Sequence, residues 1–153
     1  MVAFFYKSKK LRVRVAAYIQ DQEGKILLIK QKKRNKDYWL LPGGGIEFGE
    51  SAPAALIREL KEELNLDTNV GDFLMLNENI DPRGERHLIQ LVFRAFILPE
   101  SAPIKLSDSA VIEFCYFSLD EMKKLEMRPD IRDHLDSIAM QKSFYVKSDW
   151  ISD

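Results

Sequence analysis

The sequence predicts a single α/β domain with a mixed β-sheet over residues 1–153. Three observations carry that reading. Segments with the two-residue alternation of strands stand early and late in the chain, and a capped amphipathic helix lies between them. Strand-like and helix-like stretches interleave without a linker, repeat or low-complexity tract. A chain of 153 residues buries roughly two-thirds of its unfolded surface, enough to fold without staples. Its 46% hydrophobic and 31% charged residues exclude a disordered chain. Lys and Arg total 23 against 24 for Asp and Glu, a balance that argues against long nucleic acid as a partner. The single cysteine, Cys115, has no intramolecular partner, which points to a reducing cytoplasm. No apolar run is long enough to span a bilayer. The opening Met1-Val2-Ala3-Phe4-Phe5-Tyr6 precedes its lysines, Lys7, Lys9 and Lys10, the reverse of a secretory signal.

Taken in order, Leu11, Val13, Val15, Ala17 and Ile19 alternate with other residues as in a half-buried strand. Asp21 to Gly24 reads as a hairpin turn, and Lys25 to Ile29 as the returning strand. Lys30 to Lys36 reads as a basic loop, followed by a short apolar segment, Tyr38 to Leu41. A helix is expected from Ala52 to Leu64, with Ser51 as N-cap, Pro53 in the first turn and Asn65 at the C-cap. Phe73 to Ile80 and His87 to Leu98 read as strands around the turn Asp81-Pro82-Arg83-Gly84. Val111 to Phe117 is a further strand, and Leu119 to Leu125 and Pro129 to Met140 read as helices.

One stretch carries chemistry. Glu59, Glu62 and Glu63 stand at i, i+3 and i+4, so one helix face presents three carboxylates. Leu56, Leu60 and Leu64 form the neighbouring apolar stripe. Like charges on one face repel, and a hard divalent cation resolves that conflict, since Mg²⁺ and Mn²⁺ prefer carboxylate and water oxygens. Gly43-Gly44-Gly45 just upstream lets backbone approach a ligand closely. A solvated acidic helix face is the alternative on spacing alone.

Gly44, Glu50, Arg58, Glu59, Leu60, Glu62, Glu63 and Leu66 together resemble the Nudix box in register, and Trp39-Leu40-Leu41-Pro42-Gly43 is similar to that family's lead-in. Asn65 stands where the family has glycine; asparagine tolerates the left-handed C-cap, so little change in geometry is expected. The resemblance implies an α/β/α sandwich that cleaves a nucleoside diphosphate linked to another group by attack of water on phosphorus. It implies Mg²⁺ or Mn²⁺ held by Glu59, Glu62, Glu63 and the Gly43 carbonyl, and no organic cofactor. It casts Glu62 or Glu63 as orienting or deprotonating the water, Arg58 as holding a box carboxylate, and Glu50 as a structural partner. The partner is a small nucleotide, and a homodimer is compatible with the family.

Glu113 opens a segment that resembles the family's late Glu-x-x-Trp-Phe, with Tyr116 in place of Trp, and is a candidate base; an exposed strand-end glutamate is the alternative. Glu47 and Glu85 are poorer candidates. Arg12, Arg14, Lys33, Arg34 and Arg86 are candidate phosphate grips, with solvated strand-face or loop charges the alternative for most of them singly. Trp39, Tyr18 and Phe48 are candidates for stacking on a base, with core packing the alternative. Cys115, His87 and His134 read as ordinary structural residues. Pro82 stands sixteen positions after Leu66, a spacing similar to that of ADP-ribose pyrophosphatases. It favours ADP-ribose or a nucleotide sugar, with Pro82 expected to shape a wall beside the diphosphate. The alternatives are a MutT-type nucleoside triphosphate pyrophosphatase and, from another class, a non-catalytic nucleotide-sensing module.

Overall fold

The computed structural model describes residues 9–140 and 143–152. The apolar opening Met1 to Tyr6 and Lys7 lie outside the described residues. Among the described residues, eight strands and three helices follow in the order β1 (Leu11–Tyr18), β2 (Ile26–Lys33), β3 (Lys36–Leu40), β4 (Gly43–Gly45), α1 (Ala52–Leu64), β5 (Thr68–Ile80), β6 (His87–Ile97), β7 (Glu113–Phe117), α2 (Leu119–Met122), α3 (Leu135–Ala139) and β8 (Phe144–Ser148). A 3-10 turn, Arg132–His134, leads into α3.

The larger sheet runs β4-β1-β6-β5-β8 and is mixed: β1 pairs parallel with β6, and β5 parallel with β8, while the other pairs are antiparallel. The smaller sheet, β3-β2-β7, is antiparallel. Two apolar clusters flank these strands. Val15, Ala17 and Ile19 pack with Leu56, Leu60 and Leu64 of α1. Ala16 and Tyr18 pack with Met122, Leu135 and Ile138 from the α2 and α3 side. The result is the expected α/β/α sandwich with a mixed sheet.

Double cover corrects one expectation. Residues 15–19 are all buried rather than alternately exposed, because both faces of β1 meet apolar layers. The alternation survives as a choice between clusters. The expected basic loop at 30–36 is instead the end of β2 and the start of β3, joined by Arg34 and Asn35 at φ 48° and 64°. Two consecutive positive φ values match the twist of a tight hairpin, and asparagine accepts them readily. The helix expected at 129–140 shrinks to the 3-10 turn and α3. There the Asp130 carboxylate accepts the Arg132 N–H at 3.2 Å, a local bond that competes with an earlier helix start. The helix expected at 119–125 is the short α2, closed by a reciprocal Ser118–Glu121 capping box. Strand β8, Phe144–Ser148, lies beyond the last element that the sequence predicts.

Helix α1 forms where its caps place it. Ser51 Oγ accepts the Ala54 N–H at 3.3 Å, and Asn65 adopts the left-handed conformation at φ 53°. The Asn65 N–H donates to Lys61 O at 3.0 Å and Leu66 N–H to Leu60 O at 3.2 Å, closing the C-terminus as a glycine would. Leu60 is fully buried at the centre of the α1 face, whereas Ile57 is 42% exposed. Leu60→Ala should cost about 2–5 kcal/mol, and Ile57→Ala no more than about 0.5 kcal/mol. Urea unfolding midpoints at constant m-value check both.

Candidate active site

Helix α1 packs on β4 and β1 and brings its carboxylates to the mouth of a cavity of about 330 Å³. Gly43, Gly44 and Gly45 form one wall, beside Glu59 and Glu63. At Gly43 and Gly44 the lack of a side chain is a steric requirement. A Cβ on Gly44 would lie 2.2 Å from the Glu59 carboxylate, and one on Gly43 would lie 2.1 Å from Val15 O, where φ is already +144°.

Arg58 binds the carboxylate face together. Its Nε donates to Glu50 Oε1 at 2.8 Å and its Nη2 to Glu50 Oε2 at 3.0 Å, a two-point bond. Nη1 donates to Glu59 at 3.0 Å and to Glu62 at 3.3 Å, and Nη2 also reaches Gly45 O at 3.0 Å. The Glu50 carboxyl lies below its ordinary value, first through the Arg58 hydrogen bond and then through the Glu47 N–H. Glu50 is therefore a clamp between the glycine loop and α1. Glu62 points outward, 59% exposed, and does not line the cavity.

Glu63 has a different environment. Burial pushes its carboxyl up to about 7, aided by Glu59 and Glu62 and opposed by the Gly43 N–H, which it accepts at 2.9 Å, and by Arg14. Arg14 is lowered by its own burial, with Glu63 opposing. Its Nη2 donates to Leu41 O at 3.2 Å, while its Nε is buried without a hydrogen-bond partner. Among the described residues no three His, Cys, Asp or Glu side chains are already gathered as an ion site; Arg58 sits among the α1 carboxylates instead.

From this acidic corner the cavity crosses the larger sheet. It is lined in turn by Gly43–Gly45 of β4, Arg12 and Arg14 of β1, His87 and Leu88 of β6, Asn79 of β5, and Asp149, Trp150 and Ile151 after β8. Four inter-strand steps make that floor about 19 Å long. Gln31, Lys33, Tyr38, Leu40 and the segment Arg128–Asp130 complete the lining.

Of the candidate phosphate grips, Arg12, Arg14, Lys33 and Arg86 line the cavity and Arg34 does not. The structure does not bring Glu113 there. It stands opposite Lys30, 3.5 Å away as an ion pair, whereas the cavity is reached by Gln31 and Lys33 on the alternate face of β2. Pro82 is corrected as a cavity wall. It is exposed at the tip of a turn held by Gly84 N–H to Asp81 O at 2.7 Å and Arg83 N–H to Asp81 Oδ1 at 3.0 Å. The candidate stacking residues are placed elsewhere: Tyr18 is buried in the core, Trp39 packs edge-on against Phe117, and Phe48 is fully exposed. Glu47 is exposed, and Glu85 lies 3.7 Å from Arg83. Cys115 is half-buried beside Tyr116. His134 lies near the Phe144 ring, while His87 bonds Glu78 at 2.7 Å and lines the cavity.

Sequence reasoning missed Tyr38, Asn79, Arg128 and Trp150. For the last, a signal existed in Phe144-Tyr145-Val146, an aromatic and β-branched run that marks a strand leading into it.

A three-layer sandwich whose helix α1 presents Glu59, Glu62 and Glu63 beside a glycine strand defines a carboxylate-helix domain of one recognisable kind. The NUDIX domain model matches residues 10–138, and the chain belongs to that family. It is 37% identical over 110 residues to an ADP-ribose pyrophosphatase of Methanocaldococcus jannaschii, covering 70% of this chain and 62% of that protein. It is 38% identical over 64 residues to a CTP pyrophosphohydrolase of Escherichia coli, covering 40% and 47%. The chain thus spans less than two-thirds of the length of these curated relatives. A solved MutT protein of Methanosarcina mazei Go1 superposes with a TM-score of 0.72 at 25% identity, over 87% of this chain and 96% of that one.

Glu63 generates a pH prediction. With no divalent ion, the folded chain holds the Glu63 proton up to about pH 7, whereas an unfolded glutamate releases it near pH 4.3. The folded state therefore binds more protons in between, so this contribution to stability is intact below that window and is lost as pH rises through it. In chelator, the Tm of the wild type should fall relative to Glu63→Gln between about pH 4.3 and 7. Paired calorimetric scans across that range check the difference.

Proposed function

We propose that this chain is a divalent-metal-dependent pyrophosphohydrolase, acting in the cytoplasm on a nucleoside diphosphate joined to a second group, with ADP-ribose or a nucleotide sugar preferred. The observation that carries this reading is the cavity that sets the Glu59 and Glu63 carboxylates and the glycine strand at one end of a run of cations. The name of the M. jannaschii relative supports the choice of ADP-ribose; Pro82 no longer does. A floor of about 19 Å suits a substrate with groups on both sides of its diphosphate. No helix among the described residues is long and apolar enough to cross a membrane.

The residues fit Mg²⁺ or Mn²⁺. Carboxylate oxygens are the donors such ions prefer, and Glu63, desolvated beside Glu59 and Glu62, is a charge that a cation would relieve. Glu59, Glu62, Glu63 and the Gly43 carbonyl would hold the ion. When bound, it supplies charge neutralisation of the diphosphate and activation of water. Arg12 and Arg14 line the path next to that corner and bind phosphoryl oxygens, which keeps the diphosphate in register with α1. Arg58 fixes Glu59 and Glu62 rather than touching substrate. Glu63 accepts the proton of the attacking water; it lines the cavity, whereas Glu62 does not, and Glu113 is occupied by Lys30. The water oxygen bonds to phosphorus, the P–O bond of the anhydride breaks, and two monophosphates leave.

Activity should disappear in excess chelator and return with Mg²⁺ or Mn²⁺; turnover that persists in chelator refutes the metal requirement. Glu62→Gln and Glu63→Gln should each lower kcat by about a hundredfold or more with the fold retained. Single-turnover rates at saturating metal, with circular dichroism as the folding control, check this.

A second measurement addresses the substrate. ADP-ribose or a UDP- or GDP-sugar should exceed dGTP and its oxidised form in kcat/KM. A preference of about tenfold for any triphosphate, about 1.4 kcal/mol in the transition state, would instead select the MutT-type reading.

A further inference from the structure

The end of the cavity opposite α1 is built from parts that a metal-bound diphosphate does not use. Trp150 stands there on the segment that follows β8, and that segment is tied down from two sides. The buried Asn79 side chain donates to Ser148 O at 3.0 Å and to Asp149 O at 2.7 Å, and Arg128 Nη2 donates to Ser152 O at 3.3 Å. Buried Asn77 adds a bond to Ser148 Oγ at 3.0 Å. These bonds hold the backbone of the segment on either side of Trp150.

Its chemistry is that of a donor surface. The indole Nε1–H of Trp150 is buried and makes no hydrogen bond. Such a donor is costly to leave unmatched, and an incoming acceptor removes the cost. One face of the Trp150 ring is covered by the Arg86 guanidinium at 5.1 Å, and one face of Tyr38 by that of Arg128 at 5.2 Å. Both rings thus spend a face on a cation, which makes this end a poor platform for stacking a base and a good one for an anion. Two carboxylates also line it. Asp130 is gripped at two points by Arg132, at 2.8 and 2.6 Å, so its charge is matched from its own loop. Asp149 is exposed and turns its backbone carbonyl to Asn79.

We propose that this end is a subsite for a phosphate that the substrate carries in addition to the diphosphate that is cleaved, with the Trp150 indole N–H donating to it and Arg86 supplying charge, next to Arg128, which Glu126 already pairs at 3.6 Å. This rests on the reading of the cavity as a nucleoside diphosphate site and narrows its substrate class to compounds bearing a further phosphomonoester. The cleavage chemistry is unchanged. The added phosphate contributes binding, at a distance across the sheet from the reacting phosphorus.

The test compares compounds that differ by one phosphate. With Mg²⁺, kcat/KM is measured for ADP-ribose against its 2′-phosphate, NADH against NADPH, and dephospho-coenzyme A against coenzyme A. At least one phosphorylated member should be preferred tenfold or more, through KM rather than kcat. Trp150→Phe keeps an aromatic ring but removes the donor, and should reduce that preference to threefold or less. Arg86→Gln should act in the same direction. A readout independent of turnover is titration calorimetry in chelator with AMP, adenosine 2′,5′-bisphosphate and adenosine 3′,5′-bisphosphate. One bisphosphate should bind at least tenfold more tightly than AMP, and the gain should vanish in Trp150→Phe. Hydrolysis of every pair at equal efficiency with no calorimetric difference overturns the subsite, as does a preference that Trp150→Phe and Arg86→Gln leave intact. Calorimetric preference without hydrolysis of any diphosphate supports the subsite and overturns the hydrolase reading instead.

Discussion

One guanidinium holds the acidic corner together. Three glutamates on a single helix face repel one another, and Arg58 answers that repulsion with hydrogen bonds to Glu59 and Glu62 from one nitrogen. Its other two nitrogens grip both oxygens of Glu50 and the Gly45 carbonyl. Helix α1, the glycine strand and the loop between them are thereby fixed to one point. A lysine there could satisfy one partner well, whereas the planar fork satisfies four. The positions of Glu50, Glu59 and Glu62 follow from that clamp, and so does the close approach of Gly44 to Glu59.

Glu63 escapes the clamp. It turns inward to the Gly43 N–H and loses solvent, so its charge is held at a cost. The buried Arg14 beside it bears a matching cost of opposite sign. Two partly desolvated and opposite charges at the junction of α1 and β1 give the corner its polarity, and neither is fully compensated by the other. This imbalance is what a charged ligand can exploit.

What was legible in the sequence was local. The caps of α1 could be read because Ser51 and Asn65 act within a turn of themselves, and the shared face of Glu59, Glu62 and Glu63 follows from helical spacing alone. The glycine wall was legible through its adjacency to the box. What failed was long-range. Glu113 looked suitable by its neighbours in sequence, yet strand pairing set it against Lys30 on the alternate face of β2. Pro82 had the right spacing and an exposed position. The wall from Tyr38, Asn79, Arg128 and Trp150 joins segments whose sequence neighbours give no sign of meeting, and only the parallel pairing of β8 with β5 brings Trp150 to the cavity.

That pairing, together with the parallel match of Leu11 with His87, has a consequence for the nascent chain. Neither parallel contact can be made through a hairpin; each waits until a distant strand has left the ribosome. Closing such long loops costs entropy before any contact repays it, and folds dominated by non-local pairs form slowly for that reason. The box helix can cap itself as soon as it is synthesised, but the cavity has no floor until β6 arrives and no end wall until β8 does. During translation every residue of the acidic corner is therefore synthesised before the strands that give the pocket its floor and end wall.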